Sequence, residues 1–237
     1  KSWDFSGYVY TESDIKNQPL QQNLNEEQIK ILQEAGNDVN QMLAPSAYED
    51  TYSENKVLYK KEDFNGTEIF FYSYNPDDQL YSVAFTFTGA NLGNYELAST
   101  SGIGKIYRYV DPIGDLPQGS YEPVSRLIAP TKLTVATVMT KYNPDEKTLI
   151  NLEVAMSNND QNLFSSIDDQ NNKGWAGNIN AKQRILSKAI TLDAFANVQF
   201  VHKNFRPIER LYSIEFDRDW NLETQFGNQN IITAGLT

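Results

Sequence analysis

Lys132-Leu-Thr-Val-Ala-Thr-Val-Met-Thr-Lys-Tyr142, followed after Asn-Pro-Asp-Glu-Lys by Thr148-Leu-Ile-Asn-Leu-Glu-Val-Ala-Met-Ser157, is the stretch on which the fold turns. Leu133, Val135 and Met139 share one side of the first run, and Ile150, Leu152, Val154 and Met156 share one side of the second. A period of two is the signature of antiparallel strands. Further long strands are expected at Trp175 to Arg184, Ala189 to His202 and Leu211 to Trp220, with Ile190, Leu192, Ala194, Val198 and Phe200 on one face. The connections alternate between short and long. Spanning strands of about nine to eleven residues joined in that way are the pattern of outer-membrane barrels. A sandwich core produces the same faces, so the alternation alone leaves both architectures open.

Working outward from this region, the period of two begins near Val57. Asn65-Gly66 is a hairpin signal joining a strand near Val57 to Lys61 with one near Glu68 to Tyr74. Tyr81, Val83, Phe85 and Phe87 alternate with Ser82, Ala84, Thr86 and Thr88, which reads as one strand. Two segments, Tyr74-Asn-Pro-Asp-Asp78 and Tyr142-Asn-Pro-Asp-Glu146, read as turns, because proline presets the dihedral and Asn and Asp bond their own backbone. A Gly-x-Tyr-Glu echo links Gly93 to Glu96 with Gly119 to Glu122, a hint of repeated hairpins. One helix is expected near 25–43: Asn25 caps it, Gln28 completes a capping box, Leu24 and Ile29 have staple spacing, and Ile29, Leu32 and Ala35 form its stripe. The chain is therefore expected to be mainly β, with antiparallel sheets in a sandwich or barrel-like meander and one short N-terminal helix. Two modules are expected. The first, 1–130, contains the helix and a loop-dense part over 89–130; the second, 131–237, holds the long strands.

The composition narrows the chemistry. Across 237 residues there are 31 acidic and 20 basic side chains, no cysteine and one histidine, for a net charge of -11. Disulfides, thiolate nucleophiles and multi-histidine metal sites are excluded. A pI near 4.6 leaves nucleic acid without the positive stripe it needs. Lys1 to Tyr8 read as a strand without the regions of a signal peptide, and Asn230 to Thr237 stop in a strand-like run. The chain is expected to be a piece of a longer one, truncated at its C-terminus.

Few residues point to chemistry. In the loop from Ser157 to Trp175, Asp169, Asn171 and Gly174 match the first half of a calcium loop, but Asn180 stands where the bidentate glutamate belongs. Asp169 and Asn171 are thus candidate calcium ligands, against a reading as an ordinary hydrogen-bonded surface loop. Trp175 and Trp220 are candidate stacking platforms for a glycan or other ligand, against sheet packing or the aromatic girdle of a barrel. His202 ends a strand with no nucleophile motif beside it. Lys182, Arg184, Lys188, Lys203, Arg206 and Arg210 make the one locally basic stretch, which reads as a charged sheet edge or a contact for acidic groups. No carboxylate pair is singled out for hydrolysis, and no catalytic residue is assigned.

Ser157-Asn-Asn-Asp-Gln-Asn-Leu-Phe-Ser166 with Asp168-Asp-Gln-Asn-Asn-Lys-Gly174, and Pro207-Ile-Glu-Arg-Leu-Tyr-Ser-Ile-Glu-Phe-Asp-Arg-Asp-Trp220, resemble a family of large, poorly characterised cell-envelope proteins of Bacteroidota. Gly119 to Pro130 is similar to the linker before the long strands in that family, and the likeness covers roughly residues 80–220. The resemblance implies an extracytoplasmic, outer-membrane-associated, β-rich protein and carries over no catalytic residues. The expected function is a non-enzymatic structural or assembly module of a larger surface protein. In one form, residues 132–237 belong to an outer-membrane barrel with 158–174 as an outer loop. Its partners are then the remainder of its own chain, envelope proteins or surface glycans. The alternative is a glycan- or ligand-binding module with a calcium-stabilised loop and otherwise no cofactor.

Overall fold

The computed structural model describes residues 2–64, 66–187, 190–209 and 227–237. Along the chain run β1 (Ser2–Ser13), α1 (Glu26–Ala35), β2 (Leu43–Pro45), β3 (Tyr48–Glu49), β4 (Leu58–Phe64), β5 (Thr67–Ser73), β6 (Leu80–Ser82) and β7 (Thr86–Phe87). Then come β8 (Tyr95–Ser101), β9 (Gly104–Tyr109), β10 (Tyr121–Glu122), β11 (Val124–Arg126), β12 (Lys132–Asp145), β13 (Thr148–Asp160), β14 (Lys173–Ser187), β15 (Thr191–Val201) and β16 (Gln229–Leu236). The fold is mainly β, antiparallel throughout its named pairings, with one α-helix among the described residues. These elements form two compact units, Lys1–Asn23 with Ala129–Thr237, and Leu24–Ile128.

The first unit is a six-stranded meander in the order β1-β12-β13-β14-β15-β16. It is an open sheet and not a closed barrel: β1 and β16 each pair with one neighbour among the described residues. Residues 2–13, expected to open the first module, instead pair along their whole length with β12, from Ser2 opposite Asn143 to Ser13 opposite Lys132. Register puts Trp3 and Phe5 on the side of Tyr142 and Thr140, and Ser2, Asp4 and Ser6 on the side of Asn143, Lys141 and Met139, so Leu133, Val135 and Met139 fall on the face away from Trp3. The second Asn-Pro-Asp segment does not turn. Asn143 and Pro144 extend β12 across a register shift, where proline's missing N–H disturbs no regular ladder bond. The reversal comes at Asp145, whose Oδ1 accepts from the Lys147 N–H at 2.8 Å. The expected strand from Leu211 to Trp220 lies outside the described residues.

The second unit is held by aromatic side chains. Tyr59, Ile69, Phe70, Tyr81, Tyr95 and Tyr107 are buried together. The expected strand over 81–88 is broken between β6 and β7, because Phe85 leaves the alternation and packs on Tyr107, Tyr95 and Tyr59 at ring distances of 4.6, 4.9 and 5.1 Å. Helix α1 has the capping box: the Gln28 N–H donates to Asn25 Oδ1 at 2.9 Å and the Asn25 N–H to Gln28 Oε1 at 3.0 Å. Leu32 and Ala35 are its buried stripe. The helix stops at Ala35, earlier than 43, since Gly36 takes a φ of 59° and Leu43–Pro45 are drawn off to pair with Val124–Arg126.

Two tyrosine hydroxyls bind this unit's sheets reciprocally. The Tyr107 N–H on β9 donates to Tyr59 Oη on β4, and the Phe70 N–H on β5 donates to Tyr95 Oη on β8, both at 2.9 Å. Burial pushes both phenols up from 10.0 to about 12. A raised folded-state pKa means the native state holds its proton more tightly. The associated stability is complete below pH 10.0 and is lost as pH rises through about 12. Tyr59→Phe leaves a buried N–H without an acceptor and should cost about 1–3 kcal/mol at neutral pH in a urea titration. It should also shrink the alkaline loss of stability; an unchanged urea midpoint would contradict this account.

Candidate functional site

The six-stranded sheet has one apolar face and one face of mixed polar and apolar side chains, and among the described residues the apolar one is exposed. Register places Trp3, Tyr142, Ile150, Ala181, Ala196 and Ala234 in one row across all six strands. Phe5, Thr140, Leu152, Ile179, Val198 and Ile232 form the next row. Beyond them lie Val138, Val154 and Phe200, then Val9, Ala136, Met156 and Trp175. Phe5 is 71% exposed, Met156 60% and Ile232 74%, values more typical of charged surface residues.

The band has edges. At one end, the Trp3 ring stacks on Tyr142 at 4.0 Å and on Phe5 at 5.8 Å. At the other, Trp175 stacks on Phe200 at 3.9 Å, with the His202 ring 6.4 Å away. Past Trp175 the same face turns polar, through Thr11, Thr134, Asn158 and Lys173. From Tyr142 to Ala136 the apolar rows extend about 20 Å along the strand, at roughly 3.4 Å per residue.

The opposite face carries Asp4, Lys141, Asn151, Glu153, Asn178, Asn180, Asn197 and Gln199 at matched positions. Its charges include a compact cluster in which Asp193 binds Lys182 Nζ at 2.9 Å and Arg184 Nε at 3.0 Å. These two members of the basic stretch lie on β14, an interior strand, and not on a sheet edge. Lys188 and Arg210 lie outside the described residues.

The other sequence-predicted residues separate. Asp169 and Asn171 are both exposed, in a short 3-10 turn. Asp169 Oδ1 accepts from Asn172 Nδ2 at 2.9 Å, and the loop is otherwise ordered by bonds such as Asp160 Oδ1 to the Asn162 N–H and Asn162 Oδ1 to the Phe164 N–H. Among the described residues, no three His, Cys, Asp or Glu side chains gather as a metal-binding group. Gly174 is not a loop glycine. It lies within β14, where a Cβ would collide with the backbone of Asn204 and Phe205. Trp175 belongs to the apolar face, and Trp220 lies outside the described residues. His202 Nδ1 accepts from the Asn204 N–H at 3.2 Å, a strand-end role.

Sequence reasoning did not bring Trp3, Phe5, Val9, Ile232 and Leu236 to this face. Their period of two was visible, but not the strand each would join. No family model, curated protein or solved structure matches the chain.

Proposed function

We propose that the six-stranded sheet is a segment of an outer-membrane β-barrel wall, within a non-enzymatic structural or assembly module of a larger cell-envelope protein. One observation carries the reading: an apolar face, exposed among the described residues, that runs across six strands, is bounded at both ends by stacked aromatics and is backed by a face with many polar side chains. Lipid-facing barrel surfaces have an apolar band roughly 25 Å tall between aromatic girdles, with polar residues turned inward. Water offers such a face nothing, and contiguous exposed apolar patches beyond a few hundred Å² are rare on soluble monomers.

The connections support the same reading. Connections of two and three residues join β12 to β13 and β14 to β15 at one end of the sheet. The other end carries every long connection: β1 to β12, β13 to β14 and β15 to β16. Barrels keep short turns on the periplasmic side and long loops outside. Closure requires further strands at the edges of β1 and β16, because an open edge has no partner in hydrocarbon. The remainder of a parent chain would supply them, in keeping with the resemblance to envelope proteins. As a glycan platform Trp175 is poorly placed, since Phe200 covers one side of its ring in an apolar row.

The test is lipid contact by the whole chain. In a Trp220→Phe background, the chain should associate with phosphatidylcholine vesicles, and bromines on the acyl chains should quench Trp3 and Trp175. A monodisperse chain in detergent-free buffer that ignores vesicles would overturn the proposal.

A further inference from the structure

On the mixed face of the sheet the chain leaving β15 doubles back over β13 and β14. The Arg206 N–H donates to Ser157 Oγ at 2.9 Å, and Ser157 is fully buried at 0% exposure. The Asn204 and Phe205 backbone occupies the space that a side chain at position 174 would fill. Glycine there is thus a seat for the crossing segment, on a face whose neighbouring positions all carry side chains. Between this strap and the sheet lies a cavity of about 450 Å³. That falls within the range of small-molecule sites.

The cavity's chemistry has one sign. Among the described residues, Glu153 on β13 and Glu209 on the strap line it, and no Lys, Arg or His does. Lys141, on the same face, stands opposite Asp4 across the β1–β12 ladder. Thr137 also lines the cavity and is only 3% exposed, which puts a hydroxyl-bearing side chain in its wall. Asn178 Oδ1 is already engaged by Asn197 Nδ2 at 2.8 Å. Gln199 and Tyr8 line it as well, and the rest of the wall is mostly apolar, with Val135, Ala176, Val201 and Phe205.

We infer that this cavity binds a small organic ammonium ion, its cationic head at Glu153 and the Thr137 hydroxyl and its apolar body against Phe205 and Val201. An ammonium donates to both oxygens, and its charge is the one that this lining does not repel. An anion would meet two carboxylates. The inference does not depend on what covers the opposite face of the sheet.

The experiment uses the whole chain, in buffer or in detergent micelles, whichever keeps it monodisperse. Benzylammonium, benzyl alcohol and benzoate, near-isosteric probes of three charges, are titrated by ligand-observed NMR. Benzylammonium should bind saturably, benzyl alcohol more weakly and benzoate not at all. Glu153→Gln, which keeps the shape of the side chain, should weaken benzylammonium about tenfold, the loss of one charge-assisted contact. Its circular dichroism spectrum should match the parent. Equal binding of the three probes, no saturable benzylammonium binding, or an unchanged affinity in Glu153→Gln would each overturn the inference.

Discussion

Gly119→Ala and Gly93→Ala should each destabilise the unit of residues 24–128 by about 3 kcal/mol or more, near the top of the range for single substitutions. The two Gly-x-Tyr-Glu segments do not build two hairpins. They cross each other: Gly93 and Gly119 form an isolated bridge, and Tyr121 on β10 pairs with Tyr95 on β8. At the crossing each glycine lies against the other segment's tyrosine backbone. A Cβ on Gly119 would fall 2.6 Å from Tyr95 N, and one on Gly93 would fall 2.7 Å from Tyr121 N. Peptide groups hydrogen-bonded on both sides have no rotamer through which to yield. The collision is transmitted to Tyr95, which belongs to the buried aromatic cluster and accepts the Phe70 N–H. Near-UV circular dichroism of the tyrosines, followed against temperature, should show a midpoint lowered by about 10 °C or more, as the entropy of a domain of this size dictates. Gly102→Ala, where a Cβ meets nothing within 4 Å, is the control and should move little. Equal midpoints for Gly102→Ala and Gly119→Ala would remove the crossing as a determinant of stability.

What the sequence disclosed follows from what periodicity measures. Alternation at Ile150 to Met156 marks the exposed apolar face, whereas Leu133, Val135 and Met139, equally regular in sequence, lie on the other face, opposite Asn159, Ser157 and Glu153. Capping chemistry is equally local, and both bonds of the Asn25–Gln28 box are present. Pairing is not local. β1 joins β12 across the whole of the second unit, and no spacing within Ser2 to Ser13 names that partner. Identical motifs also diverge with context. Asn75-Pro76-Asp77 turns, with the Asp77 N–H donating to Asn75 Oδ1, whereas Asn143-Pro144-Asp145 runs on as strand. The candidate face was half legible for the same reason. Period two says that Leu152 and Val154 share a side, but not whether protein, water or lipid lies against it. The strap over Gly174 was not legible at all, because a glycine's spatial neighbour leaves no mark in its own sequence.

Val154→Arg separates lipid from water at that face. Val154 lies in the interior of the apolar band, on β13, between strands paired on both sides, and is 47% exposed. If water covers the face, arginine there is an ordinary surface substitution, worth within about 0.5 kcal/mol and favourable to solubility. If hydrocarbon covers it, a guanidinium near the middle of the bilayer costs about 2–4 kcal/mol. The cost should also depend on depth, which no aqueous account predicts. Asn158 shares the face but lies two residues beyond Met156, in the polar row past the Trp175 end. Asn158→Arg should therefore cost only about 0–1 kcal/mol, the value for an interfacial position. The measurement is the urea midpoint of the vesicle-associated chain, read by tryptophan emission, for the parent and both variants. Val154→Arg should fall well below the other two, which should lie close together. Arginine tolerated equally at both positions would mean that the face meets water or protein, and the barrel-wall reading would fail on the observation that carries it.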